Sequence, residues 1–212
     1  MTQNSKKEKI LNAALDIISD EGLRGLTFRA IAKKADVTLG ITTYYYKSIE
    51  ELYIDAYEFF DSKVNDVLDG LYLKASQLLF SEGELSQLKL SQQQKIINDL
   101  SILLTSYVKS QVSTEAKYRK IAAAFMHAAI VNSVIKNHEI KRQQSFVEMG
   151  ERWFSQLNVS QPKVIANLFV ALLAFFERQF ILLPENDFDS DGVTDSLKHF
   201  FTMVFNSVEK CE

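Results

Sequence analysis

TFRAIAKKADVTLGITTYYYKSIEEL, residues 27–52, decides how the rest of the chain is read. Thr27 can cap a helix, because its hydroxyl can accept a bond from a backbone N–H of the first turn that has no partner within the helix. Phe28, Ile31, Ala32 and Ala35 then recur at helical spacing on one face. Ala35-Asp36-Val37 breaks the pattern, and Thr38 is a second N-cap candidate. Gly40 has no Cβ and can let two helices approach closely. Three tyrosines, 44–46, close the second helix. Ser48-x-x-Glu51 is a capping box that restarts the chain into a long helix. Two short helices about a three- or four-residue turn form the helix-turn-helix plan, whose second helix enters the DNA major groove. Arg29, Lys33, Lys34 and Lys47 lie around it.

Residues 27–52 resemble the N-terminal DNA-binding domain of TetR-type transcriptional regulators, whose pattern is roughly T-x-x-x-I-A-x-x-A-G-V-S-x-G-x-x-Y-x-x-F-x-x-K-x-x-L. Thr27, Ile31, Ala32, Ala35, Val37, Thr38, Gly40 and Leu52 match it. Asp36 replaces the turn glycine, and Asp tolerates left-handed backbone better than most residues. Thr43 stands where a Tyr is usual, Tyr46 replaces the Phe, and Ile49 replaces a Lys that meets a phosphate, with Lys47 as the candidate substitute. The resemblance implies an all-α fold. An N-terminal three-helix DNA-binding domain, residues 1–50, would be joined by a long helix to a helical effector-binding and dimerisation domain, residues 51–212. It also implies a homodimeric repressor, released from a near-palindromic operator by a small molecule. The alternative keeps the fold, with a body that binds a protein partner or no effector.

The whole chain agrees with a helical protein. Of its 212 residues 47% are hydrophobic and 24% charged, with only seven Gly and two Pro and no run of period two. The single cysteine, Cys211, excludes an internal disulfide and a cysteine metal cluster. The N-terminus lacks the apolar core of a signal peptide. The longest apolar run, 164–183, is interrupted by Asn167, Glu177, Arg178 and Gln179, so no membrane span is expected and the location inferred is the cytoplasm. Net charge is −3, but residues 1–47 hold eight basic against five acidic residues, +3, leaving 16 basic against 22 acidic, −6. A basic head on an acidic body is an electrostatic footprint for DNA.

Nine helices are expected. The first covers 4–21, with Ile10, Ala13, Ala14, Ile17 and Ile18 inward and Gly22 at its end; Leu23 and Leu26 plug the head. Lys6, Lys7 and Lys9 form either a mobile phosphate-binding arm or a solvated terminus. A long helix over 48–80 is followed by a loop over 81–90. Further helices run from the Ser91/Gln94 capping box to 113, from a Thr114 cap to 136, and from an Asn137 cap to 157. The last two cover 162–183, opened by Pro162, and 194–208. These last two are apolar nearly all round, which suits a four-helix bundle with their copies from a second chain.

Toward DNA, Leu39, Ile41, Thr42 and Thr43 are offered to base edges, and the resemblance implies that Arg29 stands at a position that can reach a guanine. Thr27, Tyr44, Tyr45 and Lys47 are candidates for phosphates, with Thr38 and Gly40 at the start of the reading helix. Tyr46 is assigned to the core, while Lys33 and Lys34 are read as a solvated face. For a hydrophobic or aromatic effector the candidates are Tyr107, Phe125, Met126, His127, Phe146, Met149, Trp153, Phe169 and Phe176. His127, in an apolar run, is read as a buried histidine before a ligand anchor. Asp187-Phe-Asp189-Ser-Asp191-Gly192 begins like a calcium loop, but its twelfth position is Lys198 where an acid is needed, so Asp191 is read as a helix cap. No Gly-rich phosphate loop, H-E-x-x-H or G-x-S-x-G occurs. No enzyme activity, cofactor or metal is expected.

Overall fold

The computed structural model describes residues 3–80, 83, 87–113, 116–180, 182–184 and 187–208. Among them are nine α-helices and no β-strand: α1 (Gln3–Glu21), α2 (Phe28–Ala35), α3 (Leu39–Tyr45), α4 (Ile49–Phe80), α5 (Leu90–Val112), α6 (Ala116–Ala129), α7 (Ser133–Ser155), α8 (Pro162–Phe180) and α9 (Ser190–Asn206). A single 3-10 turn, Leu23–Gly25, joins α1 to α2. The all-helical expectation holds. The chain divides into two compact units, one of residues 1–67 with 117–142, the other of 68–116 with 143–212.

The first unit is built on the apolar stripe of α1. Ile10, Ala14 and Ile18 are fully buried, and Leu26, Ile31 and Leu52 close over the same core. The turn between α2 and α3 is held as the sequence requires. Thr27 is extended and its Oγ1 accepts from Ala30 N–H at 3.2 Å. Asp36 adopts the left-handed conformation (φ 53, ψ 52), and its N–H closes the end of α2 onto Ala32 and Lys33 carbonyls. Further along, Tyr57 and Phe60 of α4 pack against Phe125 of α6 with ring centroids 4.9 and 5.7 Å away. Beside these rings lies a buried ionic cluster. Tyr57 O–H donates to Glu139 at 2.9 Å, and Arg142 donates to Glu139 at 2.6 Å and to the Tyr57 oxygen at 3.1 Å. Burial alone would lower the Arg142 guanidinium, but the bond and charge of Glu139 more than offset it and hold it above its ordinary value.

The second unit centres on α5, α8 and α9, with Leu100, Leu104, Phe154, Ala166, Leu197 and Phe201 in one core. Thr105 and Thr194 share a hydroxyl–hydroxyl bond of 2.8 Å, so the polar atoms carried on these facing helices satisfy each other. Gly150 on α7 lies where an added Cβ would sit 3.1 Å from that of Ala166 on α8. A residue larger than glycine there would press on the neighbouring helix.

Several boundaries differ from expectation, each for a local reason. The long helix starts with Ser48 Oγ accepting from Glu51 N–H, but Glu51 reaches back to Lys47 N–H instead of that of Ser48. Helix α5 starts at Leu90, not Ser91, because Gln92 Oε1 accepts from Lys89 N–H. The break after α6 falls at Asn132, five residues before the expected Asn137, since Asn132 Oδ1 accepts from both Val134 and Ile135 N–H. Helix α9 is capped by Asp189, which accepts from Gly192 N–H at 2.9 Å, and not by Asp191. Lys6, Lys7 and Lys9 belong to α1, and Lys7 is ion-paired with Asp55 at 2.6 Å, so they are no mobile arm. Thr114 and Cys211 lie outside the described residues. No helix is long and apolar enough to cross a membrane among the described residues.

Candidate nucleic-acid interface

Helix α3 is short, and its two faces differ sharply. Thr42 and Tyr46 point into the first unit and are buried, while Thr38, Leu39, Gly40, Thr43 and Tyr44 are exposed. The exposed positions recur at i, i+1, i+4 and i+5 and make one stripe down the helix. Ile41 and Tyr45 are half-buried at its edges. Arg29 and Lys33, one turn apart on α2, are exposed, as are Thr27 and Lys47. Lys34 is held by Asp20 of α1 at 3.4 Å.

This geometry corrects one expected base contact. Thr42 is fully buried and its Oγ1 donates to the Leu39 carbonyl at 2.7 Å, so its side chain faces the core and not a groove. Thr43 donates to the carbonyls of Leu39 and Gly40 at 3.2 and 3.3 Å yet stays exposed. Its oxygen keeps acceptor capacity toward a base amine. Gly40 meets only Thr38 Oγ1, 3.9 Å from an added Cβ, so within this chain it allows no close helix contact. Its bare backbone faces outward instead.

Tyr46 is in the core, as expected. Its phenol donates to Asp55 of α4 at 3.0 Å, and the same carboxylate binds Lys7 of α1. Burial, followed by the charge of Asp55, pushes the Tyr46 phenol above its ordinary value, so it stays a donor. Asp55 therefore ties the end of the recognition helix to α1 and α4. Sequence reasoning missed this tie, because its members are dispersed over residues 7, 46 and 55 and no spacing rule joins them.

The nine effector candidates separate between the units. Phe125, Met126 and His127 belong to the first; Tyr107, Phe146, Met149, Trp153, Phe169 and Phe176 belong to the second. His127 is exposed, which corrects its reading as a buried histidine: Ile121, Phe125 and Ala129 set the inward face of α6 and residue 127 falls opposite. Within the second unit, Trp153 and Phe169 join Phe154, Phe200 and Phe201 in a ring cluster. Phe176 stacks on Phe180, which meets Phe188 at a tilt. No group of three His, Cys, Asp or Glu side chains suits a metal among the described residues.

A short helix presenting one exposed stripe, preceded by a left-handed turn and backed by a buried three-helix core, defines a helix-turn-helix protein. Residues 10–56 match the family described as bacterial regulatory proteins, tetR family. That match covers the helix-turn-helix head of the chain. A similar sequence, 44% identical over 54 residues, is an uncharacterized HTH-type transcriptional regulator in the dhlA 5′ region of Xanthobacter autotrophicus. That match covers 26% of this chain and 27% of the relative, so the chain spans about a quarter of that relative's length in the alignment. The fold extends further. A TetR-family member from Streptomyces coelicolor A3 superposes with a TM-score of 0.66 at 19% identity, covering 92% of this chain and 97% of its own. The multidrug binding protein EbrR in complex with ethidium superposes with a TM-score of 0.64 at 18% identity, covering 94% and 99%.

Proposed function

We propose that the protein is a homodimeric, ligand-responsive repressor that binds a near-palindromic operator and is released from it by a small molecule. The observation that carries this reading is the exposed stripe of α3 beside Arg29. Leu39 and Thr43 offer apolar and hydrogen-bonding contacts to base edges, and Arg29 a bidentate donor for a guanine. Thr27, Thr38, Tyr44, Tyr45 and Lys47 hold phosphates and set the register, with the Gly40 backbone close to the groove and Ile41 at its edge. Lys47 stands in for the lysine that Ile49 replaces.

Dimerisation is supported by a second exposed stripe. Val164, Leu168 and Phe175 of α8 and Met203 of α9 are large apolar residues open to solvent, on the two helices assigned to the interface. A dimer on a near-palindromic operator needs its two recognition helices ~34–36 Å or a little more apart. The effector is assigned to the second unit, to the residues about Trp153 and Phe169. EbrR, a protein of this fold, is named for multidrug binding, which supports an aromatic ligand. The ligand acts by binding the released state better than the DNA-bound one.

A second reading has its own observation. Ile130 and Val131, between α6 and α7, are 76% and 84% exposed, and an apolar tip of that kind suits a protein partner in place of a small effector. Selection of genomic fragments by the purified protein at about 150 mM salt tests the main reading. A near-palindromic site is expected; sequence-blind binding at every salt concentration would refute it.

A further inference from the structure

The chain's one tryptophan carries a polar atom that nothing satisfies among the described residues. Trp153 is only 5% exposed, and its Nε1–H is buried without an acceptor. An indole N–H can only donate, and a buried donor left unpaired is uncommon enough to call for a partner from outside. The rings packed on it cannot supply one: Phe154 lies edge-on at 5.0 Å, Phe201 edge-on at 6.1 Å and Phe169 stacked at 6.2 Å. Phe169 stacks in turn on Phe200, at 5.6 Å and 27°. It is thus the middle ring of three. The outer two, Trp153 and Phe200, are buried, whereas Phe169 is partly exposed.

We propose that Trp153 is the polar anchor of the effector site, and that the effector is a flat aromatic molecule without a carboxylate, bearing a hydrogen-bond acceptor such as a carbonyl. Its acceptor receives the indole N–H, which lies in the plane of the Trp153 ring, and its own ring replaces contacts that Phe169 makes at the partly exposed edge of the cluster. An anionic effector group would lose its hydration among these rings, which disfavours a carboxylate at this position. The inference rests on the reading of the second unit as the effector domain, and adds the ligand class and the atom that selects it.

Two probes of matched shape test it on the full chain: 2-acetylnaphthalene, which has the acceptor, and 2-isopropylnaphthalene, which does not. By calorimetry the ketone is expected to bind roughly tenfold tighter. Trp153→Phe should remove that preference while leaving the hydrocarbon's affinity nearly unchanged. The lone indole N–H resonance of the unmutated protein, followed by NMR, should move downfield with the ketone and not with the hydrocarbon, whatever the variant's folding. Equal affinities, a preference that survives Trp153→Phe, or an indole resonance unmoved by bound ketone would overturn the anchor. If neither probe binds, the assignment of an aromatic effector to this unit falls with it.

Discussion

Asp55→Ala tests how the recognition helix is held in place. The Asp55 carboxylate accepts from the Tyr46 phenol at 3.0 Å and pairs with Lys7 at 2.6 Å. Tyr46 is 3% exposed, so without Asp55 its hydroxyl is left buried and unpaired. A hydrogen bond to a charged acceptor contributes about 1.5–3 kcal/mol. The ion pair is partly exposed on both sides and contributes about 0.2–1 kcal/mol. Asp55→Ala should therefore cost about 2–4 kcal/mol, Tyr46→Phe about 1.5–3 kcal/mol and Lys7→Ala less than about 1 kcal/mol. Urea denaturation followed by far-UV circular dichroism, at fixed protein concentration, gives all three. The double variant should show a coupling of about 1–2 kcal/mol between Asp55 and Tyr46. Two outcomes would refute the reasoning: Asp55→Ala within about 0.5 kcal/mol of the parent, or Lys7→Ala as costly as Tyr46→Phe.

Glu139→Ala strands the buried Arg142 charge and should cost about 3–5 kcal/mol, while replacing both residues by Met should cost much less; equal losses by denaturation would contradict the ionic cluster. Burial, only partly offset by Arg142, holds the Asp61 carboxyl above its ordinary value of 3.8. Its folded pKa exceeds its unfolded one, so ionised Asp61 destabilises the protein above the folded pKa, and the penalty fades as pH falls through that value toward 3.8. Asp61→Asn should accordingly raise stability at about pH 7 and give a smaller gain at about pH 4; equal gains in denaturation midpoint would exclude this. Arg29→Ala should lose roughly 1–3 kcal/mol of operator affinity with relaxed specificity, whereas Lys47→Ala should weaken all sequences alike and flatten the salt dependence. A base-specific effect at Lys47 would reverse its assignment.

The head was legible because its constraints are local. The Thr27 cap, the left-handed Asp36 and the inward Ile31, Ala32 and Ala35 are all set within a few residues of one another. Thr42 was misplaced for the same reason. It looks like its neighbour Thr43, and only the register of α3 on the core separates a buried hydroxyl from an exposed one. In the body the helices were legible and their ends were not. Asn132 and Asn137 are both good caps, and it is Asn132 that accepts the first-turn N–H groups of α7. Glu139 and Arg142 sit at the i, i+3 spacing of an ordinary surface pair, and nothing local says that they are buried against Tyr57. The effector set could not be read, since which aromatics meet depends on the register of helices far apart in sequence. Phe125 and Trp153 are alike in type yet belong to different units.

Having its one indole at position 153 makes the protein a single-channel reporter of its own unfolding. Tryptophan emission arises wholly from the second unit and carries no signal from the head, while circular dichroism sums helices from both. Two transitions that coincide would mean that the units melt together; an optical signal that persists after part of the ellipticity is lost would mean that the head comes apart first. The same pair of instruments therefore measures, without any label, how strongly the two units depend on each other for their folding.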